Sequence, residues 1–502
     1  MQILTSEHIK QWDQFTIQHE PIASIDLMER AVTQCMKWIE AGKYRQTPFI
    51  IYCGKGNNGG DGLALARMLW NRKYIVTVFI LEFGHKGTED FQTNLARLHE
   101  TGVEILFIQS QDNLHPIPKE AVLIDALFGS GLNRPLDAVT SRLIEHINTS
   151  GNKIISIDIP SGMFSNASSK EGPIIKAAHT LSFQCYKLAF LVPENQEYLG
   201  DVQILDIGLA PAFLQTLQTQ MSLLDSAFIR AIYKTRKSFS HKGSYGHALL
   251  VAGSYGKMGA AVLSAKACLR AGVGLLTCYM PACGYTIVQA SVPEAMALTD
   301  PNDRFITADD IDVEKYTVIG IGPGLGTESK TSDSLKHLLS VLKSPAVLDA
   351  DALNMIAADK EFLKKLYPFS ILTPHPKEFE RLFGPSKNDF EKLELAKSKA
   401  EELQVIIVLK GHNTFIAMPG GRAYFNSTGN AGMATGGSGD VLTGILTSLL
   451  AQNYEPEQAA LLGVYLHGMA GDFAAVKKSE EALIALDIVD CLGDAFLEIK
   501  NG

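Results

Sequence analysis

Residues 48–53 read PFIIYC, 54–62 read GKGNNGGDG and 63–70 read LALARMLW, so an apolar β-branched run passes through a glycine turn into an amphipathic helix. Gly54, Gly56 and Gly59 spell GxGxxG, a pattern that gains meaning from the strand before it and the helix after it. Glycines let the backbone approach a phosphate, and a helix start offers free N–H groups. A tight βα turn of small residues would explain the glycines alone. It would not explain Asn57, Asn58 and Asp61, whose oxygens suit a cation or ribose hydroxyls.

The same alternation continues outward from this passage. Strands are predicted at 75–81 (IVTVFIL), 121–127 (AVLIDAL), 153–159 (KIISIDI) and 179–183 (HTLSF), with helical stretches between them, which is the pattern of a parallel sheet covered by helices. The fold class is therefore α/β, beginning with a Rossmann-like doubly wound domain. Leu27, Met28 and Ala31 lie at helical spacing and are expected to pack on this sheet or on a partner subunit. Ligands of such sheets bind outside the carboxyl ends of strands. Two further strand ends are polar there: Asp125 opens DALFGSGLNRP, and Asp158 lies in SIDIPSG with Ser161 three residues on. One such Asp often only caps a helix; three polar ends on one crevice make a site.

The stretch 206–225 follows the last strand of this half and carries the domain boundary, and the alternation restarts at 247–254 (HALLVAGS). We place a first domain at 1–215 and a second at 225–502, with further strands at 275–280, 317–322, 346–350, 370–374 and 405–410. No residue-level repeat relates the halves. The second half's strongest signal is NAGMATGGSGD at 430–440, running into the apolar helix VLTGILTSLLA. Its glycines make a nest of N–H groups for phosphate charge, with Asp440 at the mouth. A carboxylate there can take the proton of a hydroxyl that attacks a phosphoryl group, or it can merely cap the helix. Other strand-end turns are 253–260 (GSYGKMGA), GPGLG at 322–326, DADALN at 349–354, TPHPKE at 373–378 and KGHNT at 410–414. His467, inside LLGVYLHGMAGD, reads as a packed or capping histidine rather than a ligand.

The whole chain bounds these readings. Its 502 residues exceed one ordinary core, and 46 % hydrophobic with 20 % charged residues is a folded globular balance. A net charge of −9 gives no footprint for nucleic acid. Cysteines at 35, 53, 185, 268, 278, 283 and 491 form no CxxC pair and no zinc spacing, so they read as reduced thiols. The start, MQILTSEHIKQWDQFT, lacks a basic n-region and an apolar h-region, and no later stretch is read as a membrane span; a cytoplasmic location is expected.

GNNGGDGL, DALFGSGLNRP and DIPSG together resemble the N-terminal domain of the NAD(P)H-hydrate epimerases, over roughly residues 1–211. The resemblance implies that Asn57, Asn58, Gly59, Gly60 and Asp61, with Gly129, Ser130, Gly131, Leu132, Asn133, Arg134 and Pro135, hold the nucleotide-like substrate. It places a potassium ion on Asn58, Asp125 and Ser161, and oxygen-only ligands suit such a hard cation. Interconverting R and S forms at the hydrated C6 requires moving protons around that carbon. Asp158 is the candidate base. Lys187 in FQCYKLAF is the second, although Leu and Ala follow it where the family has proline and glycine, and a solvated charge is the competing reading.

The second half resembles the ribokinase-like superfamily and, within it, the ADP-dependent NAD(P)H-hydrate dehydratases, over 225–502. The resemblance assigns Lys410, Gly411, His412, Asn413, Thr414 and Gly439 to the adenine nucleotide. Ala260, Gly324, His375 and Asp440 fall to the hydrated dinucleotide. It implies ADP with magnesium, phosphorylation of the C6 hydroxyl with Asp440 as base, expulsion of phosphate, and assembly as a homo-oligomer of four or more subunits, without nucleic-acid or membrane partners. A ribokinase-like small-molecule kinase fused to a dinucleotide-binding module is the alternative.

Overall fold

Parallel strands can be joined only by crossovers, and buried on both faces they read as continuous apolar runs. The computed structural model describes every residue except 43, 46, 218, 308–310 and 502. Residue 218, within the boundary stretch, and Gly502, the last residue of the second domain, thus lie outside the described residues. Two compact units result: Gln2–Thr219 with Asn388–Phe390, and Gln220–Lys387 with Glu391–Gly502 and Met1.

The first unit holds a seven-stranded sheet of β1 (Phe49–Cys53), β2 (Val76–Leu81), β3 (Glu104–Ile108), β4 (Val122–Ala126), β5 (Ile154–Ile157), β6 (His179–Phe183) and β7 (Asp201–Leu205), in the order β3-β2-β1-β4-β5-β6-β7. Every pairing is parallel. Both faces are covered: Ile51, Leu65, Val78 and Ile124 belong to one apolar cluster, Tyr52, Leu123 and Ile144 to the other. Leu27 and Ala31 pack with Trp12, Cys185 and Ile207, and Met28 joins the sheet's own core, so the opening helices lie on the sheet. Edge strands β3 and β7 are not among the strands named from sequence. Their side chains are largely exposed or half-buried, so the apolar pattern that marks a strand is weak there.

The second unit is a ten-stranded sheet: β8 (Met221–Leu223), β9 (His247–Val251), β10 (Leu275–Pro281), β11 (Met296–Asp300), β12 (Val318–Ile321), β13 (Val347–Leu348), β14 (Ile371–Leu372), β15 (Ile406–Leu409), β16 (Thr414–Ala417) and β17 (Ala423–Asn426), ordered β11-β10-β9-β12-β13-β14-β15-β16-β17-β8. It is parallel except for the antiparallel β15-β16-β17 meander. Strand β8 lies inside the stretch read as the domain boundary. Pro456–Lys478 differs from the sequence expectation as well, being by length and composition apolar enough to cross a membrane. Its most apolar stretch is 67 % buried, and it packs between the helices Ser438–Ala451 and Ala485–Asn501, as a core helix does.

Two candidate active sites

In the first unit the glycine turn is shorter than its sequence suggests. Gly56 is the N-cap, and Asn57 already begins the helix Asn57–Asn71. Asn57 through Asp61 are thus that helix's first residues. A Cβ on Gly54 would stand 1.9 Å from the Leu127 carbonyl oxygen, and one on Gly59 1.8 Å from that of Gly54, so no other residue fits either position.

Asp125, 1 % exposed at the end of β4, has both carboxylate oxygens occupied. Ser156 Oγ and Ser161 N donate to Oδ2 at 2.7 and 2.8 Å; Ser161 Oγ and Leu127 N donate to Oδ1 at 2.5 and 3.3 Å. Burial raises this carboxyl more than those donors lower it. Asp158, just past β5, holds a left-handed φ of +67°. For a non-glycine residue that costs on the order of 1–3 kcal/mol, a strain typical of functional positions. The turn aims Oδ1 at Lys187 Nζ, 2.7 Å away, and lets Oδ2 accept from Ser130 N at 2.8 Å. Burial pushes the Asp158 carboxyl up, but Lys187 and Ser130 outweigh it and hold the group below its ordinary range. Lys187 is therefore not a solvated charge. It is completely buried, and a buried ammonium persists only when paired.

Gly129 brings the remaining parts together: a Cβ there would lie 3.0 Å from Asp158 Oδ2 and 3.3 Å from Asn58 Cβ. Asn58 is 8 % exposed, and neither its amide oxygen nor its nitrogen has a hydrogen-bond partner. Leu132 is half-buried, whereas Gly131, Asn133, Arg134 and Pro135 are exposed along the outer arm of the loop. Two acids complete the cluster. Burial and the charge of Asp158, against a downward pull from Lys187, push Asp13 up to about 7. Asp61 stands well above its usual value through burial and the charges of Asp158, Asp13 and Asp90. Asp13 was not found from sequence; its signal is an acid directly after Trp12 in a helix whose Trp12 and Thr16 are buried.

In the second unit Asp349 follows β13 at 1 % exposure, accepting from Lys410 Nζ and from Thr443 Oγ1 at 2.8 Å each. A Cβ on Gly439 would sit 3.3 Å from Lys410 Nζ, so the strand-end pair abuts the start of the helix Ser438–Ala451. That start is made by Gly437 at φ +93°, and Gly439 and Asp440 lie in the first turn. Burial, then the charge of Asp349, raise Asp440 to about 7; Lys410 pulls it down and Asp351 adds to the rise. Burial would lower Lys410, but Asp349, Glu378 and Asp440 prevail and raise it. Sequence reading placed Asp349 in a turn without giving it a role. Its partners, 61 and 94 residues away, are visible only in the fold.

Gly324, at φ +65°, abuts Ala260: a Cβ on it would stand 3.1 Å from the Ala260 Cβ and 2.7 Å from the Lys257 carbonyl. His375 caps the helix Pro376–Phe383, Nδ1 accepting from Lys377 N at 3.0 Å, while His375 N donates to Glu378 Oε2 at 2.8 Å. In KGHNT, Gly411 and His412 are exposed, Asn413 and Thr414 half-buried, and the Thr414 hydroxyl donates to the Gly411 carbonyl at 3.1 Å. Thr414 already begins β16. His467 is a packed histidine, Nε2 lying 3.0 Å from the Ser438 carbonyl, and burial pushes it down to about 4.

A doubly wound unit with an acid cluster at its glycine turn, joined to a second α/β unit with an Asp-Lys pair at a glycine helix start, defines a two-site α/β enzyme. Residues 24–189 match the family described as YjeF-related protein N-terminus, and residues 248–492 match NAD(P)H-hydrate dehydratase. The chain is 37 % identical to the bifunctional NAD(P)H-hydrate repair enzyme Nnr of Moorella thermoacetica, covering 98 % of this chain and 96 % of that protein. It is 35 % identical to the Coxiella burnetii protein of the same name, over 93 % and 94 %. A solved ADP/ATP-dependent NAD(P)H-hydrate dehydratase from Bacillus subtilis, co-crystallized with ATP and Mg2+, is 35 % identical with a TM-score of 0.50, covering 55 % of this chain and 98 % of that one. This chain belongs to the family of bifunctional NAD(P)H-hydrate repair enzymes.

Proposed function

We propose that residues 1–215 interconvert R and S forms of hydrated NADH and NADPH, and that residues 225–502 return the S form to the dihydronicotinamide at the expense of ADP, releasing AMP and phosphate. The observation that carries the reading is Asp440: a carboxyl raised to about 7, at a glycine helix start beside the Lys410–Asp349 pair. An acid so tuned is half ionised near neutral pH, where a general base works best. It takes the proton of the C6 hydroxyl as that oxygen attacks the terminal phosphoryl of ADP. The ring nitrogen's lone pair then expels phosphate, and a proton leaves C5. Lys410 and the N–H groups around Gly439 hold the phosphates, KGHNT the nucleoside, and Ala260, Gly324 and His375 the hydrated ring. Magnesium bound with ADP balances diphosphate charge.

In the first unit, Asp158 stays ionised beside Lys187 and acts as the general base for proton movement around C6, with Asp13 and Asp61, both raised, beside it. Asn57 through Asp61 and Gly129 through Pro135 hold the dinucleotide. Asn58, Asp125 and Ser161 suit potassium: all three offer oxygen, and the orphaned Asn58 amide has an oxygen to give. Potassium there would offset the buried negative charge of Asp125. We assign the chain to the cytoplasm, in keeping with seven free cysteines, and to a homo-oligomer of four or more subunits.

The test is recovery of 340 nm absorbance from an R/S mixture of hydrated NADH with ADP and magnesium. Complete, ADP-dependent recovery supports the reading. No recovery with any nucleotide overturns it and favours a small-molecule kinase.

A further inference from the structure

A cavity of about 400 Å3 opens where β2 and β3 end, across β1 from Asp125 and Asp158. Lys55, Glu82, His85, Lys86, Gln92 and Phe107 line it. Lys55 belongs to the glycine turn itself and sews the cavity to it. Its ammonium pairs with Glu82 and donates to the His85 carbonyl at 2.5 Å, and its own carbonyl accepts from Thr88 N at 3.0 Å. The loop 82–88 thus extends the crevice that begins at Asn57.

Glu82 is the residue directly after β2. Its carboxylate accepts from Lys55 and, at 2.7 Å, from Gly84 N, and the Lys55 bond holds it below the ordinary carboxylate range, so it is ionised at neutral pH. In doubly wound sheets an acid after the second strand accepts the ribose hydroxyls of a dinucleotide whose pyrophosphate lies on the first glycine turn. Phe107, 43 % exposed, offers an apolar surface for a base. The ammonium of Lys55 is already committed, which leaves a second phosphate on the ribose facing an ionised carboxylate, with only the exposed His85 and Lys86 to offset it.

We propose that this cavity receives the adenosine half of the hydrated dinucleotide, with Glu82 accepting its ribose hydroxyls, so that the first unit favours hydrated NADH over hydrated NADPH. This rests on the epimerase reading. The experiment follows R-to-S conversion of each hydrate chromatographically, with the full chain and without ADP, so that the second unit is idle. Expected for the wild type is a kcat/KM about tenfold higher for hydrated NADH, the scale of one hydrogen bond to a charged group. Glu82→Gln, checked for an unchanged melting transition, should collapse that ratio mainly through KM for hydrated NADH. AMP should compete with hydrated NADH more strongly than adenosine 2′,5′-bisphosphate does.

Equal rates for the two hydrates, a preference for hydrated NADPH, or a ratio indifferent to Glu82→Gln overturns the inference. So does AMP binding that fails to compete, which would make the cavity a separate nucleotide site. The wild-type comparison needs no variant to fold. Epimerisation of neither hydrate sinks the epimerase reading and this one with it, whereas intact epimerisation with an unchanged ratio sinks only this one.

Discussion

Asp158 follows a strand of the first sheet and Asp440 opens a helix beside the strand ends of the second, yet their surroundings tune them in opposite directions. Asp158 touches Lys187 directly at 2.7 Å and is kept ionised. At Asp440 the nearby ammonium, Lys410, is already paired with Asp349, so burial and the neighbouring acids prevail and the carboxyl rises to about 7. Where a cation spends its charge decides what an adjacent aspartate can do. The first acid stays ionised, whereas the second gains and loses a proton in the working range. That contrast can be broken at four residues.

The largest effect is expected at Asp440. Asp440→Asn should slow ADP-dependent dehydration of the S form by about 10²–10⁴-fold, the range for loss of a general base. R-to-S conversion should be untouched, because it belongs to the other unit. In the wild type, dehydration should rise with pH and level off above about 7, because the reactive form is the ionised one. A dehydration rate that stays flat from pH 5 to 8 would count against Asp440 as the base.

Asp158→Asn comes next, with epimerisation falling by a similar order and dehydration of pure S form unchanged. Asparagine tolerates the left-handed backbone, so the variant should fold. Lys187→Met attacks the same site through its partner. Leaving a buried carboxylate unpaired costs about 3–5 kcal/mol, and the Asp158 carboxyl should then rise. Residual epimerisation should fade as pH drops through that raised value, whereas the wild type holds its activity to lower pH. A stable variant with an unmoved profile would show that the pair does not set the ionisation.

What sequence could and could not disclose follows the same lines. GNNGGDG after PFIIYC and GGSGD before VLTGILTSLLA were legible because local chemistry alone demands them: a Cβ at Gly54 or Gly59 would come within 2 Å of a carbonyl oxygen, and a left-handed Gly437 admits little else. Most central strands were legible because both their faces are buried, although β16 and β17, largely buried as well, were not among the strands named. Edge strands β3, β7, β8 and β11 were not, since half-exposed side chains blur the apolar pattern. Electrostatic tuning was hidden for another reason. The Lys187–Asp158 pair spans 29 positions, and Lys410–Asp349 spans 61. Spacing along a chain says nothing about which ammonium meets which carboxylate, and so Lys187 could be mistaken for a surface charge.

The smallest effect, and the sharpest test of the contrast, concerns Asp13. Its folded value of about 7 exceeds the ordinary 3.8 of an unfolded aspartate, so the native state holds the proton more tightly. The stability this contributes is full below about 4, declines as pH rises from there to about 7, and is absent above. Asp13→Asn carries no titrating group and should lose less stability than the wild type between pH 5 and pH 8, measured as the difference in melting transitions. Asp13 raises its value partly by facing the ionised Asp158. In the double variant with Asp158→Asn that repulsion is gone, and the benefit of Asp13→Asn should shrink. If it persists undiminished, burial alone sets the Asp13 value, and the two acids do not sense each other across the site.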